Sequence, residues 1–361
     1  MKSTLAAIAT ILVSLTLYFL LWPVPIEPVS WNAPVNLGLV DPFDNNNQLR
    51  RARSIDLGDY TGPEDVAIGP DGLIYATSHE GVVLRIQRNG TVSIFAETGG
   101  RPLGIEFTKD GSLIVANAYL GMQRITRDGS VEILLDEVDG RALVYADDVA
   151  VSRDGTVYLS EASTKFGAQQ FGGSYAASLL DLLEHGGHGQ IIEYRPDTGA
   201  ARVLVDNLNF ANGVAISEDQ DYLLIAETGS YRILKHWLLG PRAGNTDVLI
   251  DNLPGFPDNI NNGLNGRFWI GLVAPRNDLL DTLSNNPRIR KIVQRLPARF
   301  RPRAVPSSHV FAINGDGEVL MNLQDPNARF PALTGVLETR NALYLTTLFG
   351  NQLPRLDKED L

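Results

Sequence analysis

The chain contains no cysteine in its 361 residues, which excludes a disulfide scaffold, a thiolate zinc site and a cysteine nucleophile, since each requires sulfur. Positive charge is also scarce: 31 Lys and Arg face 42 Asp and Glu, for a net charge of −11. Nucleic acid is therefore not expected as the main partner, because neutralising its phosphates requires a surplus of Lys and Arg. Hydrophobic residues make up 44%, as in ordinary folded proteins, so a disordered chain is excluded too.

A long uncharged apolar run lies at residues 5–22, LAAIATILVSLTLYFLLW. At about 1.5 Å per residue it spans roughly 27 Å, enough for a bilayer core. An uncleaved transmembrane signal-anchor is favoured over a cleaved signal peptide, whose apolar core is usually about 7–15 residues followed by a small-residue cleavage site. Lys2 precedes the run, so residues 1–4 are predicted to be cytoplasmic and the rest to face the periplasm, a lumen or the exterior. Residues 23–50, rich in Pro and Asn, are predicted to form a tether.

A repeated pattern organises residues 51–361. An alternating apolar strand, a tight turn and a second β-rich strand recur at 64–78, 102–118, 148–163, 212–229, 258–272 and 333–349. Two further strands follow most copies, giving four strands and about 40–45 residues per unit. This spacing predicts an all-β fold, a six-bladed β-propeller of four-stranded antiparallel blades. The sixth unit lacks its outermost strand, and RSIDL at 53–57 is predicted to supply it and close the ring.

The direction of the strands predicts where polar side chains converge. Strands in a blade alternate in direction, so the Asp-Gly turns lie on one face and the residues just before each innermost strand lie on the other, which we call the top. Polar residues at these top positions are Glu64, Asp147, Asp148, Asn212 and Asp258. Such residues are also common in turns, but their shared repeat position brings them to one axis. Oxygen ligands without His or Cys suit a hard cation such as Ca²⁺.

Two insertions interrupt the repeat, at residues 164–188 in blade three and 274–308 in blade five. Both fall between the second and third strands, so they are predicted to lie on the top face as lids that shape a substrate site. In the second insertion, a helical apolar face is predicted from Ile289, Ile292, Val293 and Leu296. Basic residues surround it, at positions Arg288, Arg290, Lys291, Arg295, Arg299, Arg301 and Arg303. This segment, 288–303, is expected either to lie on anionic lipid or to pack on the propeller with its basic side in solvent.

Several motifs carry a resemblance to a known superfamily. They are GPED at 62–65, ANGVAIS at 211–217, AETGSYRILKHWLLGPRAG at 226–244, LPGFPDN at 253–259 and LYLTTLF at 343–349. From roughly residue 50 to its end, the chain resembles the senescence-marker-protein/gluconolactonase and strictosidine-synthase-like superfamily of six-bladed propellers. It is most similar to the adipocyte plasma membrane-associated protein subgroup, which shares the membrane anchor.

The resemblance implies a ligand set for a metal ion. In the lactonase members, the equivalents of Glu64, Asn212 and Asp258 bind the metal, and the position of Asp147 is usually an Asn that contacts metal or substrate. An Asp there makes the site one negative charge richer than the family pattern. It leaves open whether Asp147 or its neighbour Asp148 faces the metal and the substrate.

The resemblance also implies a choice of chemistry. Strictosidine synthases use a Glu where this chain has Thr334 and lack the equivalent of Asp258, so hydrolysis is favoured over condensation. The implied reaction is Ca²⁺-assisted opening of a lactone or aryl ester, with Asp258 activating water or attacking directly. The alternative is a non-catalytic, calcium-stabilised propeller that binds a partner.

Further polar residues are candidates for contact with a small-molecule substrate. They are Asn117, Glu161 and Glu227, at the top of the second strand in three blades. His185 and His188 could form a proton relay of the kind that paraoxonases use, but their place in a Gly-rich loop is the favoured explanation.

Overall fold

Six four-stranded antiparallel sheets surround a common axis in the computed structural model, which describes residues 2–361. The strands in chain order are β1 (Arg53–Asp56), β2 (Val66–Ile68), β3 (Ile74–Thr77), β4 (Val82–Ile86), β5 (Val92–Glu97), β6 (Pro102–Phe107), β7 (Leu113–Asn117), β8 (Gly121–Ile125), β9 (Val131–Leu135), β10 (Glu137–Val138), β11 (Arg141–Ala142), β12 (Ala146–Val151), β13 (Val157–Glu161), β14 (Gly189–Arg195), β15 (Ala200–Leu208), β16 (Ala211–Ile216), β17 (Tyr222–Glu227), β18 (Arg232–Trp237), β19 (Thr246–Ile250), β20 (Gly255–Asn262), β21 (Phe268–Pro275), β22 (Ser308–Ile313), β23 (Val319–Asp325), β24 (Leu333–Glu338), β25 (Ala342–Thr347) and β26 (Gln352–Asp357). The α-helices are α1 (Lys2–Leu21), α2 (Ser174–Glu184), α3 (Asp278–Thr282) and α4 (Pro287–Arg295).

The sheets are the six predicted blades. Blades 1 to 5 are β2–β5, β6–β9, β12–β15, β16–β19 and β20–β23, while β10 and β11 form a separate small hairpin. Blade 6 contains β24, β25 and β26, and its outermost strand is β1, which pairs antiparallel with β26. The innermost strand of each blade contacts those of its neighbours, including blade 6 with blade 1, so the ring is closed. The predicted propeller and its closure by residues 53–57 are confirmed, with the paired strand ending at Asp56.

Apolar side chains fill the spaces between neighbouring blades. Between blades 2 and 3, for example, Ile114 and Met122 pack with Val157 and Leu159, and all four are at most 2% exposed. Complete burial of such a side chain contributes about 1.5–3 kcal/mol. The side chains of a strand point alternately to the two neighbouring blades, so the hydrophobic core lies between the blades and not along the axis.

The innermost strand is irregular at its start in five blades. The pairing with the second strand shifts in register between Pro102 and Ile105, and between Ala146 and Val149. Equivalent shifts occur in blades 4, 5 and 6. Bulges of this kind re-aim side chains next to functional sites.

The two insertions lie between the second and third strands of blades 3 and 5, as predicted. The first contains α2, and the second contains α3 and α4. The predicted helix in the second insertion is α4, but two residues of its basic side are withdrawn from solvent: Arg290 is 0% and Arg295 is 8% exposed, whereas Ile289 of the predicted apolar face is 43% exposed. The expectation of a solvated basic side was wrong for these two residues, because their guanidinium groups bind backbone carbonyls of distant segments, including Leu183, which sequence periodicity does not reveal.

The segment between α1 and the propeller is packed rather than free. Residues 23–34, which we call the strap, contain neither helix nor strand. Ile26 is completely buried, and the indole of Trp31 stacks on the His185 ring with centroids 3.9 Å apart. Backbone hydrogen bonds join Val29 N to Glu184 O at 2.9 Å and Trp31 N to Ser284 O at 3.1 Å. The strap therefore joins both insertions.

Helix α1 has the length and composition of a membrane span, and no residue of it is buried. It is the one such helix among residues 2–361, so it is a candidate anchor.

Candidate functional site

A cavity of about 510 Å³ opens at the top of the propeller axis. Its floor is formed by Glu64, Asp147, Asn212 and Asp258, which come from blades 1, 3, 4 and 5. The structure thus brings the four predicted metal ligands together. Each is 2–7% exposed, so four polar side chains are almost fully withdrawn from solvent at one point.

The floor contains oxygen atoms without hydrogen-bond partners. They are Glu64 Oε2, Asp147 Oδ2 and Asn212 Oδ1, one from each of three blades. An unsatisfied buried acceptor costs about 1–3 kcal/mol, so three at one place fit a bound cation or ordered water. No group of three or more His, Cys, Asp or Glu within residues 2–361 forms a preformed metal cage. The donor set, two carboxylates and an amide with a third carboxylate beside them, nevertheless fits a hard cation such as Ca²⁺.

The floor carboxyl groups have strongly shifted pKa values. Burial, and then the charges of Asp258 and Asp147, raises the pKa of Glu64 well above its usual range. Burial and the charge of Asp258 likewise raise the pKa of Asp147. Burial raises the pKa of Asp258 to about 7, although hydrogen bonds from the Asn212 side chain and the Asn259 backbone oppose the shift. A bound dication would reverse this balance and hold all three groups ionised.

Glu64 is held in place by Asn259 and Thr334, and sequence reasoning did not predict this role for either residue. The side-chain amide of Asn259 donates to Glu64 Oε1 at 2.9 Å and to Glu64 O at 3.1 Å. The Thr334 hydroxyl also donates to Glu64 O, at 2.7 Å. Glu64 is therefore fixed by blades 5 and 6 with its second carboxylate oxygen left free. Thr334 holds this carbonyl at the position where the resemblance implies a catalytic Glu in strictosidine synthases.

Arg101 is a third residue that sequence reasoning missed. It directly precedes the innermost strand of blade 2, two residues before Leu103, which holds the repeat position of Asp147 and Asp258, so its phase in the repeat gave no signal. It is 3% exposed, its Nη1 donates to Gly62 O at 3.2 Å, and its Nε and Nη2 have no partner. Its positive charge lowers the pKa of Glu64 and of Asp147, opposing the effect of burial.

Asp147, not Asp148, faces the cavity. The Asp148 carboxylate accepts the backbone N–H groups of Val149 and of Val214, both at 2.8 Å. Since Val214 belongs to blade 4, Asp148 joins two blades and has no free oxygen directed at the axis.

The other three substrate-contact candidates lie outside the cavity, and each has its polar groups occupied. Asn117 binds the backbone of Gly99 and Arg101. Glu161 accepts from Val144 N and the Gln190 side chain. Glu227, which is completely buried, accepts from Asn209, Ser230 and Arg232. The sequence placed these residues at the strand ends correctly, but their side chains point into blade and loop contacts rather than to the cavity.

The walls of the cavity are mainly apolar and come from both insertions. Helix α2 contributes Leu179, Leu180, Leu182 and Leu183, and the second insertion contributes residues 298 and 301–305. The Tyr145 hydroxyl donates to the backbone of Ser174 at 2.9 Å and so fixes the start of α2 above the floor. An acidic floor below apolar walls suits a molecule with one polar reactive group and an apolar body.

His185 and His188 do not reach the floor. His188 Nε2 lies 2.6 Å from Glu184 Oε1, and burial lowers the pKa of His185 to about 3 while its ring stacks on the strap. Neither histidine lines the cavity, so the structure provides no relay from them to Asp258.

Comparison with protein families adds to this geometry. A family model described as strictosidine synthase matches residues 147–241, and one described as strictosidine synthase-like, N-terminal, matches residues 41–86. Protein STRICTOSIDINE SYNTHASE-LIKE 6 of Arabidopsis thaliana is 33% identical over 97% of this chain and 93% of its own. The adipocyte plasma membrane-associated protein of Bos taurus is 32% identical over 98% of this chain and 89% of its own.

Solved structures share the fold at low identity. A gluconolactonase from Xanthomonas campestris superposes with a TM-score of 0.61 at 18% identity, over 92% of this chain and 96% of that one. A calcium-binding protein, regucalcin, from Agrobacterium tumefaciens superposes with a TM-score of 0.59 at 13% identity, over 84% and 92%. With the two relatives above 30% identity over nearly its whole length, the chain belongs to the strictosidine synthase-like family of six-bladed propellers.

Proposed function

We propose that this protein is a membrane-anchored, Ca²⁺-dependent hydrolase of lactones or aryl esters. The observation that carries the proposal is the set of three unpartnered oxygens on Glu64, Asp147 and Asn212, beside Asp258, at the floor of an apolar cavity. Oxygen ligands of this kind match the preference of calcium. The gluconolactonase and the calcium-binding regucalcin that share the fold support the same direction.

The roles of the residues follow from their positions. Glu64, Asp147 and Asn212 would hold the ion, which when bound supplies Lewis-acid polarisation of the substrate carbonyl. Asn259 and Thr334 keep Glu64 in place, so the ligand geometry is set before substrate enters. The positive charge of the buried Arg101 offsets part of the negative charge of the floor.

Asp258 is the proposed catalytic residue. As a general base, its carboxylate takes a proton from a water molecule, whose oxygen attacks the carbonyl carbon, and the proton then passes to the departing alkoxide or phenoxide. In the alternative route the carboxylate attacks directly, and water hydrolyses the resulting acyl-enzyme. Its pKa of about 7 means that the metal-free group is partly protonated at neutral pH. Either route therefore requires that neighbouring positive charge keep it ionised.

The rival function is a non-catalytic propeller that holds calcium for stability. It is favoured by one observation: Glu64 is held by residues of blades 5 and 6, so a cation bound there would brace three blades. A purely structural ion predicts that Asp258→Asn loses thermal stability, whereas the hydrolase predicts that it loses turnover.

We further propose that α1 anchors the protein in a membrane, with the propeller on the periplasmic, lumenal or extracellular side. The apolar helix and the plasma membrane-associated relative support anchoring. The proposed side depends on Lys2, because positive charge before an anchor favours the cytoplasm.

The deciding experiment is a panel of lactones and aryl esters assayed with full-length protein in detergent, with and without chelator, for wild type and Asp258→Asn. Activity that requires both the cation and Asp258 supports the proposal. Absence of activity on the whole panel, or activity unaffected by both treatments, refutes it.

A further inference from the structure

The end of the candidate anchor is bound to the wall of the cavity. Arg295, at the end of α4, donates to Trp22 O at 2.6 Å and to Phe19 O at 3.0 Å, and the Tyr18 hydroxyl returns a hydrogen bond to Arg295 O at 2.9 Å. Gln294, the residue before Arg295, lines the cavity. The last turn of α1 and the cavity wall are therefore adjacent.

The strap keeps this arrangement in place. The buried guanidinium of Arg290 binds the carbonyl oxygens of Leu183, Val29 and Ser284, which belong to α2, the strap and the second insertion. Lys291 forms an ion pair with Glu27 of the strap. A free linker over residues 23–50 would let the propeller move roughly 30 Å from the anchor, whereas the packed strap holds the top face beside it.

The rim of the cavity next to α4 has the composition of a lipid-binding surface. Residues 297–305, which we call the collar, expose Phe300 (60%) and Val305 (58%), while residues 298 and 301–305 line the cavity. The collar contains three arginines: Arg299, Arg301 and Arg303. None of the three has an acidic partner within 4 Å among residues 2–361.

The collar is also built to keep its shape. Arg301 Nε donates to Leu296 O at 2.7 Å, and Ala304 N donates to the Tyr175 hydroxyl of α2 at 3.3 Å.

No acidic residue occurs between Asp281 and Asp316, so the surface is basic although the whole chain is acidic. Exposed apolar side chains beside unpaired arginines fit the boundary between acyl chains and anionic headgroups.

We propose that the collar rests on the surface of the membrane that anchors α1, so that the cavity opens at the lipid headgroups. The occupant of this surface is anionic lipid, because the collar combines apolar exposure with unpaired positive charge and continues directly from the anchor. A corollary, which rests on the proposed hydrolase function, is that the substrate is an amphipathic ester or lactone that enters from the bilayer, with its apolar part along the cavity walls.

The absence of cysteine allows a clean test. Full-length protein carrying Phe300→Cys, with Val305→Cys as a second position, is spin-labelled and reconstituted in phosphatidylcholine vesicles with and without phosphatidylglycerol. Leu264→Cys is the matched control, since Leu264 is 39% exposed and lies in the turn between β20 and β21, on the opposite face. Accessibility of each label to oxygen and to a water-soluble nickel chelate reports its depth.

The proposal expects the collar labels to be shielded from nickel and accessible to oxygen in anionic vesicles, with the control label fully exposed to nickel. Changing Arg299, Arg301 and Arg303 to Gln in the labelled protein should weaken docking roughly fivefold per charge. Equal nickel access at collar and control positions overturns docking. Shielding from both reagents with spin–spin broadening also overturns it, because a second copy of the chain would then cover the collar.

The corollary is tested by a separate measurement of hydrolysis, since the spin-label experiment does not depend on enzymatic activity. Hydrolysis of a long-chain aryl ester in the vesicles should fall in the Arg299→Gln variant, whose changed side chain does not line the cavity, while hydrolysis of a short, water-soluble ester should not. Docked labels with unchanged hydrolysis of both esters overturn entry from the bilayer alone. Docked labels with no hydrolysis by any variant count against the proposed function and leave docking intact.

Discussion

The floor of the cavity and the carboxylates that join neighbouring blades, Asp65 and Asp148, which we call the latches, use the same residue types at adjacent positions. The floor oxygens are free, whereas the latch oxygens are hydrogen-bonded. Glu64 and Asp147 face the axis with free oxygens, whereas Asp65 and Asp148, one residue later, have theirs occupied. Asp65 accepts the backbone N–H of Ile105 in blade 2 at 2.9 Å, as Asp148 does from blade 4. A buried carboxylate therefore indicates a ligand site here only where its acceptors remain unpaired.

The largest expected effect concerns catalysis at the floor. Asp258→Asn should reduce kcat by about 10²–10⁴-fold, because the amide can neither take the proton from water nor attack the carbonyl. Chemical denaturation of the same variant should show little loss of stability, since its shape and burial are kept. A variant that unfolds easily and retains turnover per folded molecule would make Asp258 a structural residue like those of the latches.

The pH dependence of the stability of the metal-free protein should also distinguish the floor from the latches. The pKa of Asp258 rises from 3.8 unfolded to about 7 folded, so between those values the folded chain keeps a proton that the unfolded chain releases. Stability of chelator-treated protein should thus fall as pH rises from about 4 to 7, by at most about 4 kcal/mol for a shift of roughly three pKa units.

Urea denaturation across this pH range measures the slope, and added Ca²⁺ should flatten it. The latch carboxyls keep their own dependence, because burial also raises the pKa of Asp65, to about 6. A slope that is identical with and without Ca²⁺ would place its source in the latches and not at the floor.

Loss of a latch should affect stability rather than activity. Asp148→Ala removes the acceptor of two buried N–H groups, Val149 and Val214, and should lower the free energy of unfolding by about 2–4 kcal/mol. Asp147→Asn is the matched control one residue away; without metal it should be neutral or slightly stabilising, because it removes repulsion with Asp258. Equal destabilisation by both changes would remove the distinction between floor and latch.

The smallest expected effect is the stabilisation by cation. Ca²⁺ at a hundred times its dissociation constant should raise the free energy of unfolding by about 2.7 kcal/mol. Glu64→Gln should reduce this gain, whereas a change remote from the floor, such as Glu132→Gln on the outermost strand of blade 2, should leave it intact. Thermal melts of the three proteins over a Ca²⁺ titration measure it, and a gain that survives Glu64→Gln would move the ion elsewhere.

Much of the fold was predictable because it repeats. The period of the strands and turns gave six blades, and the missing strand of the last one led to residues 53–57. The shared position of Glu64, Asn212 and Asp258 within the repeat also predicted that they lie close together, and all three line one cavity. Phase alone did not separate Asp147 from Asp148, since the register shift between Ala146 and Val149 breaks the alternation of faces at that point.

Contacts between segments that are distant in the chain could not be predicted from local sequence patterns. Residues 23–50 read as a tether rich in Pro and Asn, yet Ile26 is fully buried and Trp31 stacks on a helix cap. Arg290 read as part of a solvated basic face, but it binds the carbonyls of Leu183 and Val29, which are distant in the chain, as well as that of the nearby Ser284. Each of these contacts depends on how the two insertions fold over the ring, and no local periodicity encodes that.

The pairing of β1 with β26 has a consequence for biosynthesis. The two strands are separated by almost the entire propeller sequence, so the ring cannot close while its last strand is still in the ribosome. At about 5–20 residues per second, the first strand waits roughly 15–60 s for its partner. During that time the outer edges of the nascent sixth blade and of β1 have no strand partner. Closure of the ring therefore follows the synthesis of β26 and is a late step of folding.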